Sequence, residues 1–393
     1  MPIAEAKELV MPELIFWFSG IFIFYTYIGY PLSLWFIRSF ASREVVKIET
    51  TEWPSVTVVI AAKNEERNIG KRIENIQSQK YSGPPIEIIV VSDGSTDDTD
   101  NILRILKSDE QKLAGVELKV LTQPHSLGKP AALNKAIGAA GGEIVVFADA
   151  RQTFSEDAIQ QLVGSFTDSL VGGVSGELLF YQDDQNSLLV EMGTYWRYEK
   201  FVRQLESASG SVMGATGAIY AIRRRLYRPI RPETLLDDVL IPLNVISQNY
   251  RVVFENKARA YDVVSEQVAG EWKRKVRTLA GNWQLVGSLG VLDQATRYHF
   301  LYRFFWHKFA RLLVPFFLVF LLASSLLTNA VGYRLVFWLQ MLCYLCVFLT
   351  HYVGFLKKIT FLKVLYFFFV LNGAAVMGFW VWLSGGCKRI WKS

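Results

Sequence analysis

Asp237 and Asp238 stand side by side, just before the apolar run Val239-Leu-Ile241. Adjacent carboxylates repel, and the repulsion raises one pKa toward the range a general base needs. The same pair suits the positive end of a helix N-terminus, and both roles can hold at once. Arg274 and Arg277 lie three apart in a helix-like stretch and share a face, where guanidinium forks suit phosphate oxygens. With Lys273 and Lys275 they also read as a basic, membrane-facing patch. Three more polar clusters stand out: Lys63-Asn-Glu-Glu66, Ser92-Asp-Gly-Ser-Thr-Asp97 and Asp149-Ala-Arg151. Taken alone, the second is also an ordinary strand–turn–helix junction, with Gly94 in the turn and Ser95 or Thr96 as the cap. A Walker-type phosphate loop, a GxGxxG pattern after a strand, HExxH, GxSxG and a zinc cluster are all missing from the chain.

The elements that must position these residues can be read around them. Val56–Ala62, Ile86–Val91 and Glu143–Ala148 are short apolar runs rich in β-branched residues, as buried parallel strands are. Helix-like stretches lie at about 65–79, 96–107 and 129–140. Strands alternating with helices predict a doubly wound, mostly parallel sheet, which collects ligands at the carboxyl ends of its strands. The three polar clusters follow those three strands directly.

The charge is divided unevenly. Residues 299–393 hold ten Lys and Arg and no Asp or Glu, although the whole chain has a net charge of only +6. The positive excess therefore lies in the most apolar quarter, which argues against nucleic-acid binding and fits a membrane-embedded tail with cationic flanks. Leu14–Ile37 is a charge-free run of 24 residues, long enough as a helix to cross a bilayer core of roughly 30 Å. It exceeds the apolar core of a signal peptide, contains Pro31 and follows Glu5, Glu8 and Glu13. Leu312–Tyr333, Leu335–Leu356 and Val364–Cys387 are three more such runs. Arg303, His307, Lys308 and Arg311, interleaved with aromatic residues, read as an interfacial stretch whose cations reach for headgroup phosphates. Arg38, Arg43 and Lys47 follow the first run and place the next domain in the cytosol. The tail residues Lys388, Arg389 and Lys392 then fall outside, against the same rule. Cys343, Cys346 and Cys387 all lie in the tail, so residues 1–342 form no disulfide and suit a reducing compartment. The Cys343/Cys346 pair reads as packing within a span.

The pattern resembles the membrane-bound family 2 inverting glycosyltransferases of GT-A fold, in the branch related to cellulose, chitin and hyaluronan synthases. The resemblance covers roughly residues 54–290. It rests on Ala61-Ala-Lys-Asn-Glu-Glu66, Ser92-Asp-Gly-Ser-Thr-Asp97, Gly128-Lys-Pro-Ala-Ala-Leu-Asn134, Phe147-Ala-Asp-Ala-Arg151, Gly214-Ala-Thr-Gly-Ala-Ile-Tyr220, Leu236-Asp-Asp-Val239 and Arg274-Lys-Val-Arg277. It implies an α/β, Rossmann-like GT-A domain in the cytosol with a mostly parallel sheet, attached to transmembrane helices. The corresponding boundaries are 1–40 for the first span, 41–290 for the catalytic domain, 291–311 for the interfacial segment and 312–393 for three further spans.

The resemblance also implies roles. Asp93 and Glu65 match the residues that bind the donor nucleotide, and Lys129 a basic residue beside it. Asp149 matches the first carboxylate of the metal-binding Asp-x-Asp, implying a divalent cation, Mg2+ or Mn2+. Arg151 stands at the third position of that motif, either to meet a phosphate or to pair with a neighbouring acid. Asp238 matches the general base, with Asp237 supporting it. Arg274 and Arg277 match a Gln/Arg-x-x-Arg-Trp motif up to its last letter, where Thr278 replaces the tryptophan that holds the acceptor sugar in processive synthases. Trp272 or Trp283 could replace that ring. The expected activity is sugar transfer from a nucleoside diphosphate donor, a UDP-sugar, to a glycan or lipid-linked acceptor in cell-surface polysaccharide or glycolipid synthesis. The expected setting is the cell membrane, in multi-pass form. A processive synthase coupled to export, through a homo-oligomer or an export partner, is the alternative. A non-catalytic membrane scaffold is a third reading, opposed by the retained acids and arginines.

Overall fold

The computed structural model describes residues 2–47, 51–109, 113, 115–181, 188–263, 268–286 and 300–386. Its strands are β1 (Val56–Ala62), β2 (Ile86–Asp93), β3 (Val116–Gln123), β4 (Ile144–Ala148), β5 (Thr153–Phe154), β6 (Val171–Tyr181), β7 (Ile219–Arg223) and β8 (Arg251–Val263). Its helices are α1 (Pro2–Phe24), α2 (Tyr30–Phe40), α3 (Ile69–Gln77), α4 (Thr99–Ser108), α5 (Lys129–Ala139), α6 (Ala158–Gly164), α7 (Leu188–Ser209), α8 (Asp237–Ile246), α9 (Val268–Val286), α10 (Ala310–Leu327), α11 (Val331–Tyr352) and α12 (Thr360–Leu383).

The strands form one sheet in the order β3-β2-β1-β4-β7-β6-β8-β5. Successive side chains of a strand point to opposite faces, and here both faces are covered. Val59, Ile89, Val91 and Phe147 enter one core, which α5 and α8 complete. Val58, Ile60, Ile88 and Val90 enter the other, against α3 and α6. That double burial is why these strands read as continuous apolar runs. Pairing is parallel through β3, β2, β1 and β4 and again between β6 and β8, but antiparallel where β7 and β5 join. The sheet is therefore more mixed than the three early strands suggest. β7 runs back alongside β4 from the edge where β4 ends, with Ala148 opposite Ile219. This puts the Gly214–Ala218 loop at the carboxyl edge of the parallel half. Ala62 pairs with Ser92, and Ile60 with Ala148, so the polar clusters that follow β1, β2 and β4 converge there as the sequence predicts.

Among the described residues, four helical stretches are long and apolar enough to cross a membrane: Met11–Phe40, Phe300–Leu327, Val331–Tyr352 and Thr360–Leu383. The first two contain π-helical segments, Tyr25–Gly29 and Phe305–Phe309. Arg334, expected as a break between spans, lies in the first turn of α11, bonded to Asn329 at 3.1 Å. The loop instead falls just before Val331, so the charge-free run misplaces the boundary by part of a turn or more. Cys343 and Cys346 are free, half-buried thiols in α11. Cys387, the basic tail 388–392 and residues 291–299 of the expected interfacial segment lie outside the described residues.

Candidate active site

The first side chain at the carboxyl edge is Asp93, the last residue of β2, and it is buried. Its carboxylate accepts hydrogen bonds from Ser126 Oγ at 2.8 Å, Leu127 N at 2.7 Å and Gly128 N at 2.9 Å. Asp93 therefore anchors the loop between β3 and α5. Gly128 takes φ +93° and opens into α5, while a side chain on Gly94, at φ +64°, would meet the backbone of His125 and Ser126. Both positions need glycine. Glu65 is half-buried: its amide donates to Thr99 Oγ1 at 2.9 Å and its carboxylate accepts from Asn68 Nδ2 at 2.7 Å. It organises the turn into α3, facing the start of α4.

α5 opens with Lys129, which sits among the acids. Its ammonium is 2.8 Å from Asp149 Oδ1 and 3.5 Å from Asp237 Oδ2. Burial opposes the lysine's charge, but Asp149 and Asp237 outweigh it and hold the pKa above the usual lysine range. Asp237 opens α8 and is buried, and its Oδ2 makes no hydrogen bond. The neighbouring Asp238 is pushed up to about 6, first by burial and then by Asp237; Lys129, Lys308 and Arg203 pull the other way. The Gly214–Ala218 loop closes over this carboxylate. Ala215 N donates to the Asp238 carbonyl at 2.8 Å, and a Cβ on Gly217 would come within 3.1 Å of Asp238 Oδ2. The Tyr220 ring, stacked on Phe147 at 4.2 Å, carries a buried hydroxyl without a hydrogen bond.

Among the described residues no three His, Cys, Asp or Glu side chains gather closely enough to hold a metal by themselves. A magnesium-type ion does not ask for that many, since one or two carboxylates suffice when substrate phosphates complete the shell. Asp149, about a third exposed, offers one carboxylate, and the unbonded Asp237 Oδ2 on the far side of Lys129 offers another oxygen. The donor set fits a cation held jointly with the substrate. Arg151 is no part of it, for its guanidinium pairs with the buried Asp262. Of the two readings left open for Arg151, the structure takes the neighbouring acid.

Arg274 and Arg277 are exposed on one face of α9, and Thr278 Oγ1 bonds back to the Arg274 carbonyl at 3.0 Å. Trp283 cannot replace the missing ring: it is buried and stacks on Trp382 at 5.7 Å, with Phe309 and Phe379 around it. Trp272, 38% exposed and next to Gly373, remains a candidate for that place.

The 303–311 stretch overturns its sequence reading, because these cations turn inward. Arg303 donates to the Glu206 carbonyl at 2.9 Å and the Ser209 carbonyl at 2.8 Å, capping the end of α7. His307 lies between Glu206 at 2.8 Å and Glu199 at 3.0 Å, and Arg311 pairs with Glu199. Tyr30 of the first span donates to Glu206 at 2.5 Å. Lys308 and Arg203 reach the Asp238 carboxylate electrostatically, and both were missed as site residues. A signal was available. Glu199 and Glu206 are seven apart, two turns on one face, and Arg303, His307 and Arg311 repeat every four. Matching ladders of acids and cations predict two helices packed on each other.

The family model for Glycosyl transferase family 2 matches residues 57–231. A poly-beta-1,6-N-acetyl-D-glucosamine synthase of Staphylococcus epidermidis is 24% identical over 255 residues, covering 63% of this chain and 60% of that one. The synthase of the same name from Staphylococcus aureus strain COL is 24% identical over 245 residues, covering 61% of this chain and 57% of that one. The chain thus matches less than two thirds of the length of these relatives. A mannosyltransferase from Pyrobaculum calidifontis, solved in complex with GDP-Man and Mn2+, superposes with a TM-score of 0.67 at 21% identity, covering 94% of this chain and 99% of that one. That likeness is one of fold, and it makes the α/β unit GT-A-like.

Proposed function

We propose that this chain, whose residues 57–231 match the model for Glycosyl transferase family 2, is a membrane-bound inverting glycosyltransferase with Asp238 as its base. It moves a sugar from a nucleoside diphosphate donor, a UDP-sugar, to a glycan or lipid-linked acceptor at the cell membrane. The observation that carries the reading is the cluster at the sheet's carboxyl edge, where Asp149, Asp237 and Asp238 surround Lys129. The relatives' names point to a polysaccharide as the product class. Arg38, Arg43 and Lys47 after the first span support a cytosolic position for the catalytic domain, on the side where nucleotide sugars are made.

In this mechanism the acceptor hydroxyl attacks the anomeric carbon on the face opposite the diphosphate. The new oxygen–carbon bond forms as the bond to the diphosphate breaks. The hydroxyl proton passes to Asp238, whose pKa of about 6 leaves it mostly ionised and still basic near neutral pH. Lys129, Arg274 and Arg277 supply positive charge for the departing nucleoside diphosphate. Asp149, with Asp237 behind Lys129, would hold a divalent cation, which supplies charge neutralisation at the diphosphate when bound. Asp93 serves the nucleotide by fixing the loop between β3 and α5, and Glu65 by fixing the turn after β1.

The test is incubation of membranes holding the protein with a panel of nucleotide sugars, with and without Mg2+ or Mn2+, reading nucleoside diphosphate release. Release from one donor, lost in chelator and in Asp149→Ala, is expected. Full activity in chelator sinks the metal assignment alone; no release from any donor sinks the transferase reading. A processive synthase coupled to export is the second reading, favoured by the synthase relatives and opposed by Thr278 and the buried Trp283. Product length at sparse enzyme separates the two, since long polymer beside unextended acceptor means processive synthesis.

A further inference from the structure

A cavity of about 350 Å³ lies between the first, second and fourth spans, α7 and α9. Its walls are mainly apolar: Leu279, Val364, Phe367, Phe368 and Leu371 line it, with the rings of Tyr27 and Tyr198. Two polar side chains also reach it, Arg311 and Asn372. Asn372 is 94% buried within the fourth span; its Nδ2 bonds back to the Phe368 carbonyl at 2.8 Å and its Oδ1 makes no hydrogen bond. From the cavity, one helical turn leads from Arg311 back to Lys308, whose charge reaches Asp238 together with that of Arg203. Glu199 and Glu206, the carboxylates described beside this path, are already engaged, Glu199 by Arg311 and His307 and Glu206 by His307 and Tyr30. The way from an apolar chamber to the base is therefore lined with cations.

We propose that this cavity holds the hydrocarbon stem of a lipid-linked acceptor whose phosphate group lies on the Arg311–Lys308–Arg203 side, presenting its terminal hydroxyl to Asp238. This deepens the transferase reading and rests on it, choosing the lipid-linked acceptor over a free glycan. Hydrocarbon is the occupant because the walls are apolar and aromatic, and a phosphate suits the cations Arg311, Lys308 and Arg203 beyond it. Tyr198, bonded to the Tyr27 carbonyl at 2.9 Å, ties α7 to the first span along one wall of the chamber.

The test uses the full chain, purified in detergent, with three probes: a polyprenyl phosphate, the corresponding polyprenol, and a free oligosaccharide. Binding is read by native mass spectrometry and by the shift in thermal unfolding, so it does not depend on turnover. The polyprenyl phosphate should bind and stabilise the protein, the polyprenol should bind more weakly, and the oligosaccharide should do neither. Leu371→Trp fills the chamber and should weaken polyprenyl phosphate binding by about tenfold, with nucleotide binding unchanged. Lys308→Gln, at a half-buried position, should bring the phosphate and alcohol probes closer in affinity. Equal binding of the phosphate by wild type and Leu371→Trp overturns the proposal, as does stimulation of donor turnover by the oligosaccharide alone. Lipid binding lost in Leu371→Trp, but with no donor turned over by the wild type under any condition, upholds the cavity and sinks the transferase reading instead.

Discussion

Two clusters of acidic and basic side chains, the carboxyl edge of the sheet and the junction of α7 with the second span, stand in opposite balance. At the edge, Asp149, Asp237 and Asp238 share the ammonium of Lys129. The shortage shows in Asp238, pushed up to about 6 by burial and by Asp237. At the junction, Glu199 meets Arg311 and His307, and Glu206 meets His307 and the Tyr30 hydroxyl. Burial alone would raise both glutamates, but Arg311 and His307 hold Glu199 well below the usual carboxylate range, and His307 with Tyr30 holds Glu206 below it. A carboxylate short of cations can exchange a proton near neutral pH. A carboxylate with cations to spare is locked, and serves to bolt a membrane helix to the catalytic domain.

The sharpest way to break that contrast is to neutralise one acid in each cluster. Asp238→Asn keeps the shape of the proposed base and removes its basicity, so turnover should fall by about 10²-fold or more while nucleotide binding survives. If Asp237→Asn is the more damaging change in the same assay, the base is the other carboxylate. Glu199→Gln should leave the chemistry intact in whatever protein remains folded and cost about 3 kcal/mol of stability, because Arg311 loses a buried charge partner. Thermal unfolding of both variants in detergent reads the difference. A Glu199→Gln protein as stable as wild type would mean that the junction is not the bolt described.

The two regions also differ in what a sequence can reveal. The edge was legible because its residues sit in short local motifs at the ends of three apolar strands, and the parallel register of β1, β2 and β4 carries them together. The junction was not, because its partners are far apart in the chain: Tyr30, Glu199, Glu206 and His307 meet only once the spans pack. Aromatic residues beside Arg303, His307, Lys308 and Arg311 look the same from sequence whether the cations face lipid or protein. At the edge itself, two details escaped local reading. Arg151 is taken by Asp262, 111 positions away, and Asp93 spends its carboxylate on the 126–128 loop. The antiparallel entry of β7 was hidden as well, since its direction is set by the long α7 excursion before it.

A smaller effect is expected from pH. The folded pKa of Asp238 is raised, so its ionisation weighs against folding as pH climbs from the ordinary Asp range through about 6. Glu199 is depressed, so its stabilising contribution is full above the ordinary Glu range and fades only in acid. Activity should therefore show an acidic limb near pH 6, well above the pH at which the junction fails and the protein unfolds. Asp238→Asn should unfold at a higher temperature than wild type at neutral pH, even as it loses activity. An acidic limb that coincides with unfolding would erase the distinction between the clusters.

The smallest effect belongs to the residue that joins the two regions. Lys308 lies in the π-helical segment beside His307, yet its charge is felt by Asp238. It stabilises the ionised base through space, ranking behind Lys129 among the cations that do so. Lys308→Met keeps the length and apolar stem of the side chain and deletes the charge. The pKa of Asp238 should then rise by a fraction of a unit, moving the acidic limb of the pH–rate profile to higher pH with little change in the maximum. Because the site is shielded from water, added salt should reduce the shift less than it would for an exposed pair. Lys119→Met, which removes a cation on β3 paired with Glu87, is the control and should leave the limb in place. If the Lys308→Met limb does not move, the edge and the junction are electrostatically independent, and the second span holds the catalytic domain in position without tuning its base.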